Sequence, residues 1–167
     1  MKLTYSISSL LVFTLFLLMS CKFNPNVQGS GDIALQGIWE QEPSELQDSL
    51  LQYTRHQFKF TCDSFYATLS TTSRVNYYDD NCYNSGQWKE YAKGNYVVNK
   101  DTLYIIGTFT KDNYRQKLTG CYRIGQYLPV FLIKHTSPER IELLDLQQNI
   151  PVILRLKEKL TCHPQPL

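Results

Sequence analysis

The sequence predicts an all-β fold: an up-and-down antiparallel barrel of about eight strands, with one short helix between the first two strands. Three observations carry this. Apolar and polar residues alternate with a period of two along several stretches, as they do in strands with one buried face. Turn-forming clusters such as Cys62-Asp63-Ser64, Asn99-Lys100-Asp101 and Thr136-Ser137-Pro138-Glu139 separate these stretches at hairpin spacing. No helices alternate with the strands, so the crossovers that a parallel sheet needs are missing. A meander of this length closes on itself because closure removes its exposed edges.

The elements follow in order. Leu35 to Gln41 reads as the first strand. Ser44 with Gln47 three residues later forms a capping box, and Leu46, Leu50 and Tyr53 then fall on one helical face, which predicts a helix over about 45–53. From Arg55 to Thr61, His56, Phe58 and Phe60 share one face of a strand, and Arg55, Gln57 and Lys59 share the other. Phe65 to Thr72 returns. Residues 74–87 are a polar and aromatic loop. Trp88 to Val98 is a strand with an expected bulge at Gly94, and Thr102 to Thr110 returns from it. After a loop over Lys111 to Gln116, a strand runs from Leu118 through Gly125 and Pro129 to about His135. Ile141 to Leu146 and Val152 to Lys157 complete the set.

Before this domain lies a different kind of sequence. Lys2 is followed by an apolar run, Leu10 to Met19, that is short for a membrane span. It ends in Leu18-Met19-Ser20-Cys21, which resembles the lipobox of bacterial lipoprotein signal peptides. The resemblance implies that residues 1–20 are removed and that Cys21 is lipidated. It also implies a cell-envelope location, and Lys22, in place of a retaining Asp, points to the outer membrane. Residues 22–34 are rich in Asn, Gly and Ser and read as a tether, so the domain is expected over 35–167.

The net charge of +2 is small and evenly spread, which argues against nucleic acid as a partner. Four cysteines remain besides Cys21, an even set suited to two disulfides in an oxidising compartment. Strand direction decides the pairing. Cys62, at the end of the second strand, and Cys162, after the last, lie at one end of the barrel. Cys82, in the loop before the fourth strand, and Cys121 lie at the other. A bridge spans only about 7 Å between Cα atoms, so Cys62–Cys162 and Cys82–Cys121 are expected.

Leu35-Gln36-Gly37-Ile38-Trp39 resembles the Gly-x-Trp opening of the lipocalin-like (calycin) barrels. The resemblance implies that Gly37 and Trp39 are structural, that Trp39 closes one barrel end, and that a basic residue of the last strand, Arg155 or Lys157, lies across its ring. The second lipocalin turn motif is replaced here by Thr136-Ser137-Pro138.

No P-loop, dinucleotide glycine pattern, Gly-x-Ser-x-Gly or Ser-x-x-Lys occurs, and the histidines have no partners at metal-ligand spacing. No cofactor, metal or catalytic residue is therefore assigned. The expected functional feature is the barrel interior, where His56, Phe58, Phe60, Tyr96 and Tyr122 would contact a small apolar or amphipathic ligand. Two other partners are weighed: the membrane, through the lipid, and a protein. In the second case the barrel is filled and the chain is an inhibitor or envelope structural protein. Thr61-Cys62-Asp63 and Ser85-Gly86-Gln87-Trp88 resemble motifs of lipoprotein lysozyme inhibitors, and Tyr77, Tyr78, Tyr83 and Trp88 would then form an exposed patch.

Overall fold

Among the described residues nine strands are present: β1 (Gly37–Gln41), β2 (Gln52–Thr61), β3 (Ser64–Ser73), β4 (Gln87–Asn99), β5 (Thr102–Thr110), β6 (Gln126–Tyr127), β7 (Val130–Thr136), β8 (Arg140–Asp145) and β9 (Ile150–Lys159). One short helix, α1 (Asp80–Tyr83), and a single 3-10 turn (Asn84–Gly86) lie between β3 and β4. The computed structural model describes residues 27–44, 47 and 49–166. The leader, Cys21 and residues 22–26 of the expected tether lie outside the described residues. Gly29–Pro164 form one compact unit, and the described ends, Val27 with Gln28 and Gln165 with Pro166, belong to another, in which Val27 bridges Pro166.

Eight antiparallel strands close the barrel. Neighbours pair in chain order from β1 to β5, then β5 with β7, β7 with β8, β8 with β9, and β9 with β1. β6 adds a short pairing to β5. Of the single strand expected over 118–135, residues 118–125 are irregular, and the rest is two pieces, β6 and β7, parted at Leu128-Pro129, where proline has no N–H to give to a ladder. Of the helix expected over about 45–53, residues 45, 46 and 48 lie outside the described residues. Gln47 and Ser49 are helical, whereas Gln52 and Tyr53 already belong to β2. The helix between β3 and β4 falls in the stretch read as loop, and its four residues carry no apolar periodicity to announce it.

No bulge occurs at Gly94. It pairs in register with Phe65 on one side and Gly107 on the other. Close approach explains the glycine: a Cβ at Gly94 would sit 2.1 Å from the Ile106 carbonyl oxygen, and one at Gly107 would sit 2.6 Å from Phe65 Cζ. The pair leaves room for the Phe65 ring. Register shifts fall instead at Ile38/Trp39 and Ile133/His135.

Rows of inward side chains across neighbouring strands show where the barrel is filled. One row runs Phe60, Phe65, Gly94, Gly107, Tyr127. The next runs Trp39, Phe58, Ala67, Ala92, Phe109, with small residues opposite large ones. Trp39, Phe58, Phe60, Phe65, Ala67 and Ala92 are fully buried. Trp39 Nε1 donates to the Leu35 carbonyl at 2.7 Å. Below this, Gln36 Nε2 donates to the Cys62 carbonyl (2.9 Å) and the Tyr96 hydroxyl (2.9 Å), and its Oε1 accepts the Cys62 N–H (2.7 Å). Residues 29–34 fold against the same end, where Gly29 N donates to Asp63 Oδ2 and Asp32 N to the Tyr96 hydroxyl. One end of the barrel is therefore sealed.

Both expected disulfides are present. Cys62–Cys162 has a Cα separation of 4.7 Å and Cys82–Cys121 one of 5.5 Å. The first ties the end of the chain to the β2–β3 turn at the sealed end. The second ties the α1 segment to the loop before β6.

Candidate functional site

Above the Trp39–Phe58 row the inward positions turn polar. The next row reads His56, Leu69, Glu90, and the one after it Thr54, Thr71, Trp88. The short threonines and the polar His56 and Glu90 in these rows do not fill the interior, and a cavity of about 480 Å³ remains, open at the end opposite the Cys62–Asp63 turn. Gln41, His56, Leu69, Phe109, Tyr127, Asp145 and Val152 line its depth. Leu50, Gln52, Gln126, Leu128, Gln147 and Gln148 surround its exposed mouth.

The walls are tied together by specific contacts. Gln41 Oε1 accepts the His56 backbone N–H at 3.0 Å and lies 2.9 Å from His56 Nδ1. An amide oxygen only accepts, so Nδ1 carries the ring proton and Nε2 is left with its lone pair. Burial lowers the His56 pKa to about 4, with Asp145 opposing and Arg123 adding to the effect, so the ring is neutral near pH 7. The ring stacks on Phe58 at 5.5 Å and meets Phe131 edge-on at 6.3 Å.

Glu90 is 4% exposed and answers its burial with four donors. Arg123 binds it through Nη2 (2.8 Å), Nε (3.0 Å) and its backbone N–H (3.0 Å), and Trp88 Nε1 reaches it at 3.4 Å. Arg123 also lies 4.8 Å over the Phe109 ring. At the rim, Trp88 stacks on Tyr122 at 5.0 Å, and Tyr78 stands edge-on to both. The Tyr122 hydroxyl donates to the Cys82 carbonyl beside the Cys82–Cys121 bridge. The bridge and the aromatic trio together fix the loops that carry Tyr78 and Arg123.

Asp145, 4% exposed, has Oδ1 accepting the N–H groups of Gln147 (2.8 Å) and Gln148 (3.0 Å). The Tyr127 hydroxyl is buried without a partner among the described residues, and burial raises its pKa.

Of the interior residues expected from sequence, His56 lines the cavity. Phe58, Phe60 and Tyr96 pack in the sealed half, and Tyr122 stands outside the cavity behind Trp88. Arg155 does not lie over Trp39. Alternation along β9 points Val152, Leu154 and Leu156 inward and Arg155 and Lys157 outward, where they pair with Glu42 (2.7 Å) and Glu40 (2.8 Å). Gly37 is structural through close approach: a Cβ there would meet Leu156 Cδ1 at 2.7 Å and the Glu158 carbonyl oxygen at 2.8 Å. The aromatic residues at 77, 78, 83 and 88 do not make an exposed patch, because Trp88 is buried and only Tyr77 is largely exposed. Gln41, Glu90, Arg123, Tyr127 and Asp145 were not singled out by the sequence. Glu90 carried a usable signal, since it shares a strand face with Trp88 and Ala92.

No family model, curated protein or solved structure matches the chain.

Proposed function

We propose that the protein is a lipid-anchored lipoprotein of the bacterial cell envelope, resident in the outer membrane, whose lipocalin-like barrel holds a small amphipathic molecule. The observation that carries the binding reading is the half-filled interior. Its cavity of about 480 Å³ falls within the roughly 300–1,000 Å³ range of small-molecule sites, and it joins apolar walls to a few placed polar groups. The ratio of polar to apolar lining residues favours an amphipathic ligand over a purely apolar one. Support for the anchor is the Leu18-Met19-Ser20-Cys21 sequence, together with two disulfides of a kind that persists in oxidising compartments. The first and last strands of the barrel pair beside Gly37-x-Trp39, which is consistent with a lipocalin-like chain.

Two experiments test the two halves of this reading. Thr54 lines the cavity near its mouth, and Thr54→Trp places an indole in the open space. Small amphipathic compounds that shift the amide resonances of β2, β3 and β8 in the wild type are expected to lose about tenfold or more in affinity, the scale of one lost well-packed contact set. Equal binding to both proteins refutes the cavity reading. For the anchor, Cys21→Ala is expected to release the protein from the membrane fraction or to block its processing, since stable attachment needs more than one acyl chain. The same membrane-bound fraction at the same processed length with and without Cys21 refutes it.

A further inference from the structure

The chemistry at the depth of the cavity is one-sided. Asp145 keeps a buried carboxylate with no cation within ion-pair distance among the described residues. Its Oδ1 caps the turn after β8, and its Oδ2 takes no hydrogen bond from a described residue. An asparagine oxygen would cap the same turn without the penalty of a buried charge. The nearby groups do not offset that charge. Arg123 is held by Glu90 through both of its bonded nitrogens, and that pair is neutral as a unit. His56 is held neutral by burial. The cavity thus carries one net negative charge.

His56 adds a second acceptor. Its Nδ1 proton is directed at Gln41, and Nε2 takes no hydrogen bond from a described residue. Both acceptors belong to residues that line the one cavity, and the Asp145 charge acts on the His56 ring. The Tyr127 hydroxyl, in the same wall, is a buried polar atom without a partner among the described residues. The carboxylate and the imidazole nitrogen call for a donor, and a charged donor satisfies the carboxylate best. The surrounding wall of Leu69, Phe109, Tyr127 and Val152 is apolar or aromatic.

We propose that the cavity selects a small organic cation, an amine with a compact apolar body, whose ammonium group meets Asp145 and His56 Nε2. This rests on the small-molecule reading of the same cavity and narrows it to one chemical class. An anionic ligand is disfavoured by the Asp145 charge, and a neutral one leaves that charge uncompensated.

The test is calorimetric titration of the intact protein at pH 7 with three probes of one shape: phenethylamine, 2-phenylethanol and phenylacetate. The amine is expected to bind about tenfold or more tightly than the alcohol, as a charge-assisted hydrogen bond exceeds a neutral one, with the acid weakest. Asp145→Asn is expected to bring the amine down to the affinity of the alcohol. Equal affinity for amine and alcohol, an amine preference that survives Asp145→Asn, or no binding of any probe overturns the cationic class. The wild-type comparison needs no variant, so it decides even if Asp145→Asn fails to fold. Thr54→Trp separates the two levels of inference. Amine binding that is unchanged in the filled cavity overturns the cavity reading itself, whereas equal binding of amine and alcohol that Thr54→Trp abolishes overturns only the choice of class.

Discussion

Trp39→Ala is expected to destabilise the barrel by about 3–5 kcal/mol, the range for truncating a large buried aromatic. The indole is fully buried, and the residue's register partners are Phe58 and Leu156. Its Nε1 also satisfies the Leu35 carbonyl at 2.7 Å, so the truncation leaves both a void and an unpaired acceptor. The neighbours cannot collapse into the space, because β1 is locked between β2 and β9 and Gly37 already sits against β9. Denaturant unfolding of wild type and variant under non-reducing conditions measures the loss. A change below about 1 kcal/mol, the scale of a modest surface substitution, would mean that the sealed end is not held by this residue.

The double variant Cys62→Ser/Cys162→Ser is expected to lose about 4–5 kcal/mol, the chain-entropy value for a loop of this length. The bridge spans 100 residues and so encloses every strand from β3 to β9. In the unfolded chain it forbids the most extended conformations. In the folded chain it holds β9, the last strand to be made, near the β2–β3 hairpin. Gln36 keeps its bonds to the Cys62 backbone in the variant, so the local turn survives and the effect falls on the unfolded state. The same unfolding experiment with thiol-free buffers measures it, and equal stability of the two proteins would refute the entropic account.

The strand order and both disulfides were legible because they depend on two things a sequence displays: the period of burial and the turns that break it. β3 alternates without a fault from Ser64 to Ser73, and β5 has the bounds that its turns set. The pairing of the cysteines followed from strand direction alone. What was hidden depends on partners distant in sequence. Gly94 looks like a bulge until Gly107 and Phe65 are seen beside it. Arg155 looks available to Trp39 until the phase of β9 turns it outward to Glu42. The cavity was hidden for a different reason. Phe58 and His56 occupy the same face of one strand, yet one fills the barrel and the other borders open space. The difference lies in the rows they join, Ala67 with Ala92 for the first and Leu69 with Glu90 for the second. Arg123 enters that space from a loop, where alternation has no phase to read, whereas Asp145 stands in phase with Ile141 and Leu143 on β8 and so, like Glu90, carried a usable signal.

The sealed end has a consequence for orientation. Gly29 is bonded to Asp63, and Cys162 is bridged to Cys62, so both ends of the barrel unit depart beside the same hairpin turn. Thr54 at the mouth lies toward the opposite end of β2, a strand of ten residues or roughly 30 Å at about 3.3 Å per residue. Anything that holds the barrel unit at Gly29 or Cys162 therefore holds it at its stopper. The aperture lies at the other end, and a label attached at those two residues leaves the approach path clear.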